Sequence, residues 1–415
     1  MSLALTPQTS MPWTVPANYW PRLSAATAEL DPPYGAISAQ ALAHNAFEML
    51  RRANGTTIRV ASKSVRVRGV IDAVLALPGY AGVLAYTLPE ALWLAAGDAG
   101  HPGISDVVVG YPCVDRAAIR RLATDPQLAA RVTLMVDSLD QLDFIDAVLP
   151  PGARETIRLC LELDASWNSK ALGHLGTWRS PVFTPGEAGS LAERIVARPG
   201  FSLVGMMAYE GQIAGLINDP ANRARGTMVR WIQKQSASEL AARRGEAVAA
   251  VRRLAALEFV NGGGTGSLET TGAEDAVTEI AAGSGLFGPH LFDHYRHFSP
   301  APAAAFALSV VRKPKPEMAT LLGGGWAASG PPAADRLPLV VWPEGTAMVP
   351  REMAGEVQTP LTGSGAARLR VGDRVWLRHT KAGELSEHLN EFAIVDGDRV
   401  TDMLPTYRGE GRVFL

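Results

Sequence analysis

The run Ile58-Arg59-Val60-Ala61-Ser62-Lys63-Ser64 places a lysine at the end of an apolar stretch. Residues 57–61 have the composition of a buried strand, so Lys63 is predicted at the carboxyl end of that strand. A buried ammonium group is costly, and lysines held in apolar surroundings serve as nucleophiles that form imines with carbonyl compounds. We therefore predict that Lys63 is a reactive residue; a solvated lysine at a strand end is the ordinary alternative.

Outward from this stretch, strand-like and helical segments alternate along the chain. A helix is predicted over 36–53, and eight strands follow it: 57–61, 82–86, 106–110, 132–136, 157–163, 202–208, 258–261 and 278–281. Such alternation favours parallel strands, and eight strand–helix units over about 250 residues are typical of a (β/α)8 TIM-type barrel. A doubly wound open sheet is the alternative, but no glycine-rich fingerprint follows the first strand.

The composition of the sequence changes after residue 295, where proline and glycine become frequent and helical periodicity is lost. Short strands are predicted there at 305–312, 318–323, 339–341, 374–378 and 392–395, with a hairpin turn at Gly397-Asp398. We predict an α/β barrel domain over 36–294 and a smaller all-β domain formed by 1–35 plus 295–415.

Polar and glycine-rich segments follow several predicted barrel strands, at the face where barrels carry chemistry. Tyr209 follows the sixth strand, and the loops Gly262-Gly263-Gly264-Thr265-Gly266 and Gly283-Ser284-Gly285 follow the seventh and eighth. Barrels commonly bind phosphate at these last two strands, through backbone amides and hydroxyl groups. A tight strand-to-helix turn is the structural alternative for each loop, and Asp137 and Asp164 are equally well explained as loop caps.

The 415-residue chain has a net charge of −2, which argues against nucleic acid or an anionic membrane surface as its main partner. No apolar run is long enough to span a bilayer, and the N-terminus lacks the pattern of a signal peptide. Cys113 and Cys160 lie in apolar runs and are predicted to be buried thiols of a reducing compartment. We predict a cytoplasmic enzyme with a small-molecule substrate.

In their order along the chain, these residues resemble the fold type III pyridoxal phosphate enzymes, and among them the D-threonine aldolase and D-serine dehydratase branch related to alanine racemase. The resemblance covers roughly residues 34–411. It is carried by Lys63, by Tyr209-Glu210-Gly211-Gln212, by the two glycine-rich loops and by Val371-Gly372-Asp373-Arg374-Val375. It implies that pyridoxal 5'-phosphate is held as an imine by Lys63, and that the protein is a homodimer.

Three positions depart from the pattern of that family, and one of them is Gln358, which stands where relatives carry histidine. His379-Thr380-Lys381 occupies the place of the family's paired metal ligands, with lysine at the second ligand position. Because a protonated lysine does not bind a divalent cation, no metal is predicted. His174 replaces the family's arginine near the cofactor oxygen, and Arg179 lies close enough in sequence to substitute for it.

The resemblance implies a pyridoxal phosphate-dependent lyase for small D-amino acids with a β-hydroxyl, acting by retro-aldol cleavage or by deamination. Its implied catalytic residues are Lys63, Tyr209, His379 and Lys381. Its implied cofactor-binding residues are Lys63, Tyr209, His174, Arg179, Gly263, Gly264, Thr265, Gly266, Gly283, Ser284 and Gly285. An amino-acid racemase, with Tyr407 as a candidate second base, and a non-catalytic pyridoxal phosphate-binding protein are the alternatives.

Overall fold

The computed structural model describes residues 3–331 and 333–415. They form two compact units. The barrel unit contains residues 49–63, 75–282 and 414–415, and the sheet unit contains residues up to 48, 64–74 and 283–413.

Strands alternate with helices in the barrel unit and follow one another more closely in the sheet unit. In chain order, the strands of the described residues are β1 (Tyr34–Ser38), β2 (Thr57–Ala61), β3 (Tyr80–Ala85), β4 (Val107–Val109), β5 (Val132–Val136), β6 (Ile157–Glu162), β7 (Trp167–Ser169), β8 (Gly173–Leu175), β9 (Phe201–Ala208), β10 (Phe259–Gly262), β11 (Glu279–Ala282), β12 (Ala304–Arg312), β13 (Ala319–Leu322), β14 (Leu339–Trp342), β15 (Ala347–Met348), β16 (Gln358–Thr362), β17 (Arg374–Arg378), β18 (Glu391–Asp396) and β19 (Arg399–Pro405).

The α-helices of the same residues range from single turns to one of 30 residues, the helix α10. They are α1 (Pro16–Ala26), α2 (Ala39–Ala53), α3 (Arg68–Leu75), α4 (Leu88–Ala96), α5 (Arg116–Thr124), α6 (Pro126–Arg131), α7 (Leu139–Val148), α8 (Pro185–Val196), α9 (Gly211–Ala214), α10 (Arg223–Arg252), α11 (Leu268–Gly272), α12 (Ser284–Phe287) and α13 (Ser364–Arg368). Across residues 3–331 and 333–415, no helix combines the length and apolarity needed to cross a membrane.

Eight parallel strands of the described residues close into a barrel in the order β10-β11-β2-β3-β4-β5-β6-β9. Pairing of β11 with β2, Glu279 opposite Thr57, closes the ring. Each strand predicted for the barrel overlaps one of these eight, so the predicted (β/α)8 architecture is confirmed. The hairpin β7–β8, inserted after β6, was not predicted.

The barrel strands present apolar side chains on both faces, which is why they appear in the sequence as continuous hydrophobic runs. Val107 and Val109 pack in the large cluster that includes the helix residues Leu92 and Leu122. Val108, which points the opposite way, belongs to a smaller cluster with Phe259 and other strand residues. The smaller cluster therefore fills the barrel interior.

An ion-pair network lies in the same interior. Arg59 on β2 donates to both carboxylate oxygens of Glu279 at 2.6 and 2.9 Å, and to Asp106 at 2.7 Å. Asn261 donates to Glu279 at 2.9 Å, and the Arg59 guanidinium lies 5.1 Å from the centre of the Phe259 ring. Burial of a charged arginine is thus offset by two carboxylates and an aromatic face.

The sheet unit contains a nine-stranded sheet within the described residues. Its main path runs β15-β16-β13-β12-β1-β18-β19, and β17 pairs with both β12 and β14. The all-β domain predicted for the C-terminal part is confirmed, and Gly397-Asp398 joins β18 to β19 as an antiparallel hairpin. Strands β15, β16 and β19 were not predicted.

Residues 36–38 were predicted as the start of a helix, and this prediction is wrong. They belong to β1, which pairs antiparallel with β12 and parallel with β18, and the helix α2 begins only at Ala39. All five residues of β1 are buried. Pairing on both edges satisfies their backbone groups, and this tertiary effect outweighs the helical periodicity read from the sequence.

The N-terminal segment packs on this sheet. Trp20 and Leu23 of α1 share a cluster with Tyr34 and Trp376, and Trp376 Nε1 donates to Ser24 Oγ at 2.7 Å. The limits proposed for the two domains, 36–294 against 1–35 plus 295–415, stay a prediction.

Candidate active site

Lys63 lies in a 3-10 turn, Ser62–Ser64, directly after β2. Its side chain is half-buried, and Nζ donates a hydrogen bond to the Tyr111 hydroxyl at 3.4 Å. Tyr111 follows β4, two strands along the barrel. Because the strands are parallel, the amine and the phenol meet at the carboxyl face of the barrel.

Arg179 joins Tyr111 to Tyr209 at this face. Its guanidinium carbon lies 5.3 Å from the centre of the Tyr111 ring and 4.7 Å from that of Tyr209. Both distances fall within the range of cation–π contacts. Arg179 also forms an ion pair with Glu162, Nη1 to Oε1, at 3.8 Å.

Glu162 is the last residue of β6, and its side chain is only 4% exposed. Burial raises the pKa of this carboxyl group to about 7, because loss of solvent disfavours its charged form. The charge of Arg179 opposes this effect, while Asp137 and Asp164 add to it. Glu162 is therefore a titrating group near neutral pH.

Tyr209 follows β9 and lies between Arg179 and the first glycine-rich loop. A Cβ added at Gly264 would stand 3.6 Å from Tyr209 Cε2, so the ring lies against the loop backbone. Burial raises the pKa of Tyr209, an effect that the charge of Arg179 opposes. The phenol is thus neutral at physiological pH.

Glu210 fixes the conformation of the first glycine-rich loop. Its buried carboxylate accepts the Gly263 amide at 3.1 Å and the Thr271 hydroxyl at 2.5 Å, and pairs with Arg244 at 2.8 Å. Gly263 has φ +73°, and a Cβ there would approach Ile280 Cγ2 to 2.8 Å. Only glycine fits this position without strain.

The end of the same loop forms a 3-10 turn, Thr265–Ser267. Arg52 donates to the Thr265 carbonyl at 2.8 Å and also forms a bidentate ion pair with Glu269. The Gly264 amide donates to Ser267 Oγ at 3.3 Å. These bonds occupy the Gly263 and Gly264 amides and the Arg52 guanidinium, and they fix the backbone of the loop.

The His174 ring contacts the β7–β8 hairpin and the segment that follows it. His174 lies on β8, where its ring stacks on Trp178 with centroids 3.7 Å apart and Nδ1 lies 3.2 Å from Asn168 Oδ1. Of the two residues predicted near the cofactor oxygen, Arg179 is therefore the one that approaches Tyr111 and Tyr209.

The remaining predicted site residues belong to the sheet unit. Gly283, Ser284 and Gly285 directly follow β11 and begin α12. Asn45 supports this segment, since its side-chain amide donates to the carbonyls of Leu286 and Ala301 at 3.0 and 2.9 Å.

His379 is 1% exposed, and within the described residues neither of its ring nitrogens has a hydrogen-bond partner. Burial lowers the pKa of this imidazole to about 4, so the ring is neutral at pH 7. Lys381 Nζ donates to the Ser329 carbonyl at 3.4 Å. Glu384 holds the turn by accepting the amides of Thr380, Lys381 and Ala382 at 2.6 to 3.1 Å.

No group of three or more histidine, cysteine, aspartate or glutamate side chains is arranged to hold a metal ion within residues 3–331 and 333–415. Lys381, at the position that the family resemblance gives to a second ligand, donates from Nζ to a carbonyl group.

Sequence reasoning missed two residues of this face, Tyr111 and Glu162. Both stand at the carboxyl end of a barrel strand, as Lys63 and Tyr209 do. The same strand-end criterion, applied to Val107-Val108-Val109-Gly110-Tyr111 and to the end of β6, would have found them.

Residues 37–290, more than half of the chain, match the family "Alanine racemase, N-terminal domain". This match and the closed barrel place the chain in the fold type III class of pyridoxal phosphate enzymes. The chain belongs to the alanine racemase N-terminal domain family.

Individual relatives have related names. A 3-hydroxy-D-aspartate aldolase of Paracoccus denitrificans is 30% identical over 227 residues, which cover 54% of this chain and 51% of that protein. The match thus spans about half the length of the relative. D-threonine aldolase from Filomicrobium marinum has a similar structure, with a TM-score of 0.75 and 21% identity over 93% of this chain and 97% of its own. D-threo-3-hydroxyaspartate dehydratase from Delftia sp. HT23 also has a similar structure, with a TM-score of 0.68 and 19% identity. The match covers 91% of this chain and 97% of the dehydratase.

Proposed function

We propose that this protein is a pyridoxal phosphate-dependent lyase that acts on D-amino acids bearing a β-hydroxyl group. The observation that carries the proposal is the Lys63 amine at the carboxyl face of the barrel, next to Tyr111 and on the same face as Arg179. The names of the relatives, two aldolases and a dehydratase for such amino acids, support the choice of substrate.

The residues present fit pyridoxal phosphate. Lys63 supplies the amine that would bind its aldehyde carbon. The loop of Gly263, Gly264, Thr265 and Gly266, whose backbone is held by neighbouring side chains, is assigned to its phosphate. Because Gly264 has no side chain, the loop backbone lies next to the Tyr209 ring. A Cβ at this position would stand 3.6 Å from Tyr209 Cε2 and would fill part of the space between the loop and the ring. When bound, the cofactor withdraws electrons from the substrate Cα.

The side chains of the barrel face have complementary roles in this proposal. Arg179 provides a fixed positive charge for the cofactor oxygen, held by Glu162 and the two tyrosines. Tyr209 provides a neutral phenol beside the loop. The Lys63 amine would carry a proton at the substrate.

The other assigned residues enter the proposal through the family resemblance. Gly283, Ser284 and Gly285 are assigned to the phosphate, and His379 and Lys381 to the substrate hydroxyl. We propose that the reaction needs no divalent metal, because Lys381 occupies the second ligand position. His174 is a weaker candidate for a cofactor contact than Arg179, because its ring is stacked on Trp178.

We further propose that the protein is a cytoplasmic homodimer. The family resemblance supports the dimer, and the two cysteines, which are free thiols, support a reducing compartment. Light scattering of the purified protein measures the mass of the particle directly.

The proposed activity is tested by incubating the purified protein and pyridoxal phosphate with D- and L-threonine, D-3-hydroxyaspartate, D-serine and both enantiomers of alanine. We expect turnover of the D-β-hydroxy amino acids, retained in EDTA and abolished in Lys63→Ala. Glycine plus an aldehyde would identify aldol cleavage, and a keto acid plus ammonia would identify deamination. Interconversion of the alanine enantiomers without cleavage of any hydroxy amino acid would replace this proposal by the racemase.

A further inference from the structure

Tyr111 occupies a central position at the barrel face, although neither the proposed reaction nor the phosphate site requires it. Its hydroxyl oxygen accepts a hydrogen bond from Lys63 Nζ at 3.4 Å. The ring of Tyr111 also contacts a cation, since the Arg179 guanidinium carbon lies 5.3 Å from the centre of that ring. The phenol is thus in contact with the reactive amine and under the influence of a permanent positive charge.

The Lys63 amine must lose two protons when it forms an imine. When Nζ condenses with an aldehyde, a C=N bond forms, the C–O bond breaks, and the oxygen leaves as water that carries both protons of the neutral amine. A group beside Nζ that gives one proton to the departing oxygen and recovers one from nitrogen lowers the barrier and is itself unchanged. The Tyr111 hydroxyl is within hydrogen-bonding reach of the nitrogen, where such a group must be.

Arg179 favours this role, since its contact with the ring face holds the Tyr111 ring in place, with the hydroxyl next to Lys63 Nζ. Glu162 acts one step further away. It lies 3.8 Å from Arg179 and holds the guanidinium at the mouth of the barrel, where the ring of Tyr209 supports it from a second side. The ring of Tyr111 is therefore fixed independently of its hydroxyl group.

We propose that Tyr111 is a catalytic residue that transfers protons to and from Nζ of Lys63. This inference rests on the proposed function, because it assumes that Lys63 condenses with the aldehyde of pyridoxal phosphate. It extends to every step in which Nζ is bound or released, including the exchange of Lys63 for the substrate amine.

The experiment follows the uptake of pyridoxal phosphate by apo-protein, using stopped-flow absorbance, in wild type and Tyr111→Phe. The phenylalanine keeps the ring and its contact with Arg179 and removes only the hydroxyl. We expect uptake to be slower by about a hundredfold in the variant, the lower end of the range for a positioned acid–base group, with an unchanged final absorbance. Tyr34→Phe, which removes a hydroxyl that bonds Thr27 in the sheet unit, is the matched control and should equal wild type.

Two failures are distinguishable in this experiment. If wild type develops no absorption band of protein-bound pyridoxal phosphate, the proposed function is wrong. The role of Tyr111 is then wrong as well, because it depends on that function. If wild type takes up the cofactor and Tyr111→Phe does so at the same rate, the cofactor assignment stands and the proton-transfer role is overturned.

Discussion

Glu162 shows how a single buried residue can couple pH to this site. Its pKa of about 7 in the folded protein lies above the ordinary value of 4.5, so ionisation of this group opposes folding. The stabilising contribution of Glu162 to the free energy of unfolding is therefore fully present below about pH 4.5. This contribution is lost as the pH rises through 7. The difference between the two pKa values corresponds to about 3 kcal/mol.

Glu162→Gln should therefore stabilise the protein at alkaline pH and have little effect near pH 4.5. We expect the free energy of unfolding in urea to rise by up to about 3 kcal/mol at pH 8, because the variant has no buried charge to desolvate. Glu193→Gln, a change at an exposed glutamate of the same unit, is the control. Destabilisation of Glu162→Gln at pH 8 would show instead that the ion pair with Arg179 outweighs the cost of burial.

At the scale of structural elements, the loop after β10 is defined by buried polar contacts as much as by its glycines. Glu210 links the Gly263 amide, Thr271 and Arg244, and Arg52 holds the Thr265 carbonyl. Glu210 accepts hydrogen bonds on both of its carboxylate oxygens, and these buried bonds fix one loop conformation. The conformation of the loop is thereby set before any ligand binds.

Gly263→Ala tests this loop. The alanine would need φ +73° and would place Cβ 2.8 Å from Ile280 Cγ2, so we expect a loss of about 1–3 kcal/mol of stability. We also expect the affinity for pyridoxal phosphate, measured by absorbance titration, to fall about tenfold or more, because the loop backbone must shift. The control is Gly245→Ala in α10, where an added Cβ meets no atom within 4 Å and should stabilise the helix by up to about 1 kcal/mol. Equal behaviour of the two variants would refute this account of the loop.

The same elements show what could be predicted from the sequence. Barrel strands such as β5 are short apolar runs between helices with clear periodicity, so their existence followed from local pattern. Strand β1 did not, because Tyr34–Ser38 is recognised as a strand only through its pairing with β12 and β18, far away in sequence. The contacts of Tyr111 and Glu162 with Lys63 and Arg179 likewise depend on the closed barrel, which brings distant strand ends together.

At the scale of the molecule, barrel closure is what makes the candidate site. Lys63, Tyr111, Glu162 and Tyr209 come from four strands, spread over some 150 residues of chain, and each stands at the carboxyl end of its strand. The interior below them is filled by apolar side chains and by the ion pairs of Arg59. The fold therefore presents these groups on a rigid base, which suits chemistry that depends on fixed distances.

The proposed function depends above all on covalent binding of pyridoxal phosphate by Lys63. The direct measurement is to reduce the protein loaded with the cofactor with borohydride and to map the modified peptide by mass spectrometry. We expect a single pyridoxyl group on Nζ of Lys63, together with loss of the visible absorption band in Lys63→Ala. If the protein takes up no label, or carries it on another lysine, Lys63 is not the residue that binds the cofactor.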